Sequence, residues 1–287
     1  MSPRRRRRPD GAYPDLSARD VVRDGQVLML RNHAGRKFSK RSSMRITASW
    51  TDLEDLPAAF ERARLDEQTQ TANIPPAWDP EFGYLSPDPC CCGCGTYLSC
   101  MMHLEALNLL GDIKRVLAAL DAVRIDAWGF QTEGMHDTAH LYRMENKSSI
   151  GISAEDLLRR VSAVYKGVVT QELNARRHLV EEAQRVFADA IARSLAVLRF
   201  GRLISPWELT DILSPIRMAA SMGFMDGITK EEIDDFTMNQ LKKPYDSVDL
   251  HDDARARDRR DARFADRLNV RFARVGLNAY GKELLEQ

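Results

Sequence analysis

Hydrophobic patterning changes character partway along this chain of 287 residues. The first half offers short apolar or β-branched runs, at 26–30 and 44–47, of the kind that form strands. The second half offers long amphipathic stretches with explicit start signals. Ser153-Ala154-Glu155-Asp156 reads as a capping box, with a serine to accept first-turn amides and acids to complement the helix dipole. Behind it Leu157, Val161, Val164 and Val168 form one apolar stripe. Ser205-Pro206-Trp207-Glu208 and Thr229-Lys230-Glu231-Glu232 repeat that N-terminal logic, the former with proline at the first helical position. Short strands followed by long helices predict an α+β chain.

Between these regimes the reading is mixed. Residues 52–66 predict a helix, with Leu53, Leu56, Phe60 and Leu65 near helical spacing. Pro75, Pro76, Pro80, Pro87 and Pro89 make 70–90 a long irregular loop. The stretch 96–120 predicts helix with a break at Gly111-Asp112, and 123–128 and 141–144 alternate as strands. Residues 1–15 carry Arg4 to Arg8 between Pro3 and Pro9. Self-repulsion and proline make this a solvated basic tail, rather than a nucleic-acid contact. Asp and Arg alternate densely over 252–274, as on a solvated helix.

Charge and hydropathy exclude some partners. With 42 basic and 42 acidic residues the chain has no global field to attract nucleic acid or an anionic membrane. No apolar run approaches the ~18 residues that span a bilayer, so the expected location is cytoplasmic. All five cysteines fall between positions 90 and 100, at Cys90, Cys91, Cys92, Cys94 and Cys100. A disulfide framework would spread them along the chain, so free thiols in a reducing compartment are expected. Three readings of this loop stand together. Cys100 and His103 could complete a metal site, although adjacent cysteines suit tetrahedral zinc poorly and no metal is assigned. Cys94, set close to a helix start, would gain thiolate character and sense redox state. Small residues could simply fill a tight loop, with Gly93 and Gly95 at positive φ.

The order of motifs carries a resemblance. Gly83-Tyr84-Leu85-Ser86 leads through Cys90-Cys91-Cys92-Gly93-Cys94-Gly95 to Met101-Met102-His103-Leu104, then to Trp128-Gly129-Phe130-Gln131-Thr132-Glu133-Gly134. Asn146 to Gly151, Glu172-Leu173-Asn174-Ala175-Arg176-Arg177 and Leu213-Ser214-Pro215-Ile216-Arg217 come next in register. This resembles the catalytic domain of the ATP:guanido phosphotransferases, and most closely the bacterial protein arginine kinases, from about residue 43 to about 245. The resemblance implies a twisted antiparallel sheet flanked by helices, glutamine-synthetase/guanido-kinase-like. It implies a catalytic domain over 16–250 with a shortened N-terminal part, and a charged, helical C-terminal tail over 251–287.

In that family several arginines clamp ATP phosphates and acidic residues orient the guanidinium acceptor. Phosphoryl transfer leaves the protein mainly positioning and charge stabilisation, which the planar, bidentate arginine fork suits. By resemblance the five clamp positions fall at Gln26, Leu28, Arg45, Tyr97 and Trp128, of which only Arg45 is cationic. Glu133 stands at the acceptor-orienting carboxylate, or is a polar residue in a surface turn. Its companion carboxylate is replaced by Lys40-Arg41-Ser42-Ser43, and the family's thiol falls at Asp88. Arg257 and Asp258 resemble a phosphoarginine-binding patch. Three functions are therefore in play. The first is a degenerate kinase-like module that acts through a protein partner or self-association. The second is an active kinase using ATP and magnesium through Arg36, Lys37 or Arg124. The third is a thiol or metal sensor on the same scaffold.

Overall fold

The computed structural model describes residues 17–32, 44–73, 75–129, 139–242 and 254–285, with the backbone alone at 90, 206–207, 238–242, 254–260, 280 and 284–285. The described residues divide into two compact units, one within 18–178 and the other within 179–285. The boundary falls within a long helix, α5 (Ala154–Glu181).

The N-terminal unit begins with a short helical turn, α1 (Ala18–Val21), and is built on a five-stranded antiparallel sheet. Its strands are β1 (Val22–Arg31), β2 (Met44–Trp50), β5 (Thr96–His103), β6 (Ile125–Gly129) and β7 (Leu141–Asn146), ordered β2-β1-β5-β7-β6. The fold class read from patterning holds: an α+β architecture with helices flanking an antiparallel sheet. Val27, Met29, Ile46, Ala48, Leu98, Cys100, Met102 and Met144 share one buried face. Helix α2 (Leu56–Thr71) buries Leu56, Ala59, Phe60 and Ala63 and packs on β1 and β2. From α5, the Tyr165 hydroxyl donates to the carbonyls of Leu98 and Met144 at 2.7 and 3.1 Å. The Tyr165 ring lies 6.4 Å from that of Trp50. The stripe read on α5 places Leu157, Val161 and Val168 in the core, and Ser153 caps it by accepting from Asp156 N at 3.0 Å.

Helix is expected across 96–120, and here the structure differs. Residues 96–103 are the central strand β5, followed by α3 (Glu105–Leu109) and α4 (Ile113–Ala122), with the expected break at Gly111, φ +78°. A strand buried on both faces has no alternation to read, and its continuous apolar run mimics a buried helix. The proline-rich loop holds a small ribbon, β3 (Trp78–Asp79) with β4 (Gly83–Tyr84), and a 3₁₀ turn at Pro89–Cys91.

The C-terminal unit is helical. It comprises α6 (Gln184–Phe200), α7 (Pro206–Ser221), α8 (Lys230–Lys242), α9 (Ala254–Phe272) and α10 (Ala279–Leu285), with a ribbon of β8 (Met225–Asp226) and β9 (Gly276–Leu277). Both predicted caps form. Ser205 Oγ accepts from Glu208 N at 3.1 Å, and Thr229 and Glu232 cap each other's amides at 3.2 and 3.0 Å. Edge-on ring pairs, Phe187 with Phe224 and Phe236 with Phe272, anchor the core. No helix among the described residues is long and apolar enough to cross a membrane.

Candidate functional site

The second face of the sheet gathers the positions singled out in the sequence. Strand pairing arranges them in rows, since alternate residues of adjacent strands share a face. Arg45 stands opposite Leu30. In the next row Thr47, Leu28 and Tyr97 are register partners across β2, β1 and β5. Then come Ser49, Gln26, Ser99, Glu145 and Asp126, spanning all five strands. The last row holds Asp24, Met101, Arg143 and Trp128. Arg45, Thr47, Ser49, Gln26, Asp126 and Trp128 are exposed, whereas the opposite face of the same strands is buried. All five candidate clamp positions therefore lie on one open sheet face.

Among the described residues that face carries little converging positive charge. Arg45 and Arg143 lie three strands apart and offset by about 20 Å along the strand direction at ~3.3 Å per residue. Arg143, an ordinary strand residue by its sequence, points across β5, its Nη2 donating to Ser99 Oγ at 3.3 Å. Glu145, 3.8 Å from the Arg143 guanidinium, has its carboxyl pushed up by burial, against the pull of Arg143. Between the two cations the face presents Leu28, Tyr97, Gln26 and Ser99. Such a surface can stack on a flat group and accept or donate single hydrogen bonds. It does not match the fork-and-fork charge that a phosphate chain demands.

The thiol loop is held against one end of this sheet by backbone contacts. Ser149, fully buried, accepts from Gly95 N at 3.1 Å through its hydroxyl, which donates to Cys92 O at 3.0 Å. Its carbonyl accepts from Cys94 N at 3.1 Å. Gly93 has φ +101°, and a Cβ there would sit 2.2 Å from Ser149 O, so a side chain is excluded twice over. Arg31, at the end of β1, completes the clasp. Its guanidinium lies 3.7 Å over the Tyr84 ring, pairs with Glu67, and donates to Leu30 O and Gly95 O at 2.8 and 3.0 Å. This latch has no sequence signal beyond an arginine at a strand end, because Glu67 and Tyr84 are distant along the chain.

The surroundings of Cys94 differ from those that the sensor reading expects. Cys94 precedes strand β5 rather than a helix, and burial pushes its thiol up, away from the thiolate. The expected helix start beside Cys94 does not exist. Cys100 and His103, the pair that could complete a metal set, lie three apart on β5 and point to opposite faces. Among the described residues no group of three or more His, Cys, Asp or Glu is placed to hold a metal ion. Cys91 and Cys92 are half-buried, the latter's sulfur accepting from Ser86 N at 3.4 Å, while the side chain of Cys90 lies outside what is described.

Several candidates also fall outside the described residues: Glu133, Arg36, Lys37 and the 40–43 stretch. For Arg257 and Asp258 the structure places the backbone on α9. Arg124 is described, in the turn before β6 with φ +63°, at the opposite end of that strand from Trp128. His140 contacts buried Glu105, and the buried Glu172–Arg176 pair, 2.8 Å apart, receives the amides of Ala106 and Leu107 at 3.1 Å. These are internal ties of the fold.

Comparison with known proteins agrees with the geometry. Residues 42–175 match the ATP:guanido phosphotransferase C-terminal catalytic domain, and 184–277 match the C-terminal domain of the protein-arginine kinase McsB. The first match lies in the N-terminal unit and the second in the C-terminal unit. The protein-arginine kinase of Clostridium acetobutylicum is 29% identical over 185 residues, covering 64% of this chain and 54% of that protein. The protein-arginine kinase of Staphylococcus saprophyticus is 26% identical, covering 75% and 62% respectively. The chain thus spans little more than half the length of these relatives. Among solved structures, a duplicated taurocyamine kinase from Schistosoma mansoni matches with TM-score 0.45 and 11% identity, over 60% of this chain and 37% of its own. A lombricine kinase matches with TM-score 0.45 and 13% identity, over 57% and 72%. The chain belongs to the ATP:guanido phosphotransferase family. Within it, it is a divergent member of the bacterial protein-arginine-kinase kind.

Proposed function

We propose that this protein is a degenerate guanido-kinase-like module that binds or regulates a protein partner, or a second copy of itself, and does not transfer phosphate from ATP. The observation that carries this reading is the make-up of the open sheet face. Four of its five clamp positions hold Gln26, Leu28, Tyr97 and Trp128 instead of arginine. Each charge-assisted hydrogen bond to an ionised group contributes about 1.5–3 kcal/mol. Losing four removes about 6 kcal/mol or more, roughly four orders of magnitude in affinity. Arg143 does not stand in, being directed at Ser99 and Glu145 at the far corner from Arg45. ATP and magnesium are accordingly not assigned as its cofactors. The relatives are protein-arginine kinases, which makes a protein the natural partner for the retained surface.

Titration calorimetry with magnesium–ATP, paired with a guanidinium phosphorylation assay on a generic protein substrate, tests the reading. The expected result is no saturable binding below millimolar ATP and no phosphoarginine formed. The quadruple variant Gln26→Arg, Leu28→Arg, Tyr97→Arg, Trp128→Arg should gain measurable nucleotide binding. Micromolar ATP binding by the unaltered protein, with turnover abolished in Glu133→Gln, would overturn the proposal in favour of an active kinase.

A further inference from the structure

The C-terminal unit carries a surface that its own packing leaves uncovered. Phe200, the last residue of α6, is 75% exposed, Leu203 just beyond it 55%, and Val270 on α9 79%. Scattered exposed apolar residues need no explanation, but clustered ones do. The two segments that carry them lie against each other. Asn269, beside Val270, donates from Nδ2 to Gly201 O at 3.2 Å, between Phe200 and Leu203 in sequence. Arg199, beside Phe200, donates to Val275 O. The end of α6 therefore lies along the last turns of α9 and the residues just beyond them.

The surrounding charge is one-sided. Residues 199–204 contain Arg199 and Arg202 and no acid, and 263–274 contain Arg263, Arg267, Arg271 and Arg274 against Asp266 alone. On a helix, positions 263, 267 and 270 share one face, so Arg263 and Arg267 flank Val270 directly. All of Arg202, Arg263, Arg267 and Arg274 are exposed. Arg199 is committed to the Val275 carbonyl and Arg271 to Glu232 at 3.1 Å. Arg267 rests 5.7 Å from the Phe264 ring. Arg202, Arg263 and Arg274 take part in no ion pair among the described residues. Exposed apolar side chains on packed segments that also carry uncommitted guanidinium groups form a surface that a complementary partner can cover.

We propose that Phe200, Leu203 and Val270, with Arg202, Arg263, Arg267 and Arg274 around them, form a docking surface for an acidic, amphipathic peptide segment of a partner protein. Aromatic and aliphatic anchors at the centre with charge at the rim is the arrangement of protein-recognition patches. The rim selects the sign of the partner through complementary potential and accelerates encounter. Carboxylates would meet the arginine forks with paired hydrogen bonds while apolar side chains cover Phe200 and Val270. The anchors lie on two packed segments, which favours a peptide over a nucleic-acid backbone that needs only the charge. The surface is built from residues of the C-terminal unit alone, so its test and the nucleotide test at the sheet read separate residues.

Selection from a displayed random 16-residue peptide library on the full chain tests it. The expected enrichment is for peptides with several Asp or Glu and one or more Phe, Leu or Trp. Binding of an enriched synthetic peptide should weaken at least tenfold in Phe200→Asp/Val270→Asp. It should weaken to a similar degree in Arg202→Glu/Arg274→Glu, and fall as salt is raised from 50 to 500 mM. Circular dichroism and thermal melts of both variants should match the unaltered chain, because the altered side chains are exposed. Three results would overturn the proposal: enrichment indifferent to the two variants, enrichment of basic or uncharged peptides, or the same variant-dependent loss with single-stranded RNA or anionic vesicles in place of the peptide. Concentration-dependent dimerisation abolished by Phe200→Asp/Val270→Asp, with no peptide enrichment, would overturn it too and assign the surface to a second copy instead.

Discussion

Cys94 illustrates how a single residue's chemistry depends on the element it leads into. Placed ahead of a helix it would face a partial positive charge and ionise readily. Placed ahead of β5, with its amide bound to Ser149 O at 3.1 Å, it gains no such field, and burial pushes its thiol above the ordinary cysteine range. Less of the thiol is then ionised at neutral pH, and reactivity should climb only as the medium becomes strongly alkaline. Alkylation with iodoacetamide followed by peptide mass spectrometry should show Cys94 reacting at least tenfold more slowly than a free thiol at pH 7.5, with the rate still rising above pH 9. A plateau below pH 8 would show an activated thiolate and revive the sensor reading. The residues that frame this loop are partly legible in the sequence. Gly93 and Gly95 are expected at positive φ, and both adopt it, at +101° and +56°. Arg31, Tyr84, Glu67 and Ser149 are not legible as one clasp, because nothing in local sequence relates residues so far apart.

Among the elements, β5 is the most instructive. It lies at the centre of the sheet, pairs with β1 and β7, and buries seven of its eight residues, with only Tyr97 half-exposed. Periodicity cannot distinguish such a segment from a buried helix, whereas the edge strand β2 betrays itself by alternation from Met44 to Trp50. The helices are more readily read, since Ser153, Ser205 and the Thr229–Glu232 pair are local devices that act within one turn. The two faces of β5 should differ sharply in energetic weight. Leu98→Ala, on the face under Tyr165, is expected to cost about 2–5 kcal/mol in urea unfolding. Tyr97→Ala, on the open face, is expected to cost about 1 kcal/mol or less. Equal costs would mean that the second face is covered too, and that it is not available to a ligand.

At the scale of the whole molecule, the chain passes from one compact unit to the other within α5, and the two family matches fall one in each. Each unit has its own buried core, with Leu98 and Leu198 both inaccessible to solvent. Calorimetry should therefore resolve two unfolding transitions, Leu98→Ala lowering one midpoint by several degrees and Leu198→Ala the other. A single transition lowered equally by both variants would show that the units unfold as one. The amino-acid sequence by itself determined the α+β class, the helix starts, the family, and the identity of Gln26, Leu28, Tyr97 and Trp128 at positions where cations are expected. Those are properties of composition, short-range capping and motif order, which survive without knowledge of distant contacts. Only the tertiary structure decided that β5 is a strand, that these four side chains share one open face with Arg45, and that Cys94 leads into a strand instead of a helix. It also set the segment of Phe200 and Leu203 against that of Val270, with their uncommitted arginines. Strand pairing and helix packing join residues far apart in the chain, and no local pattern records which partner each will meet.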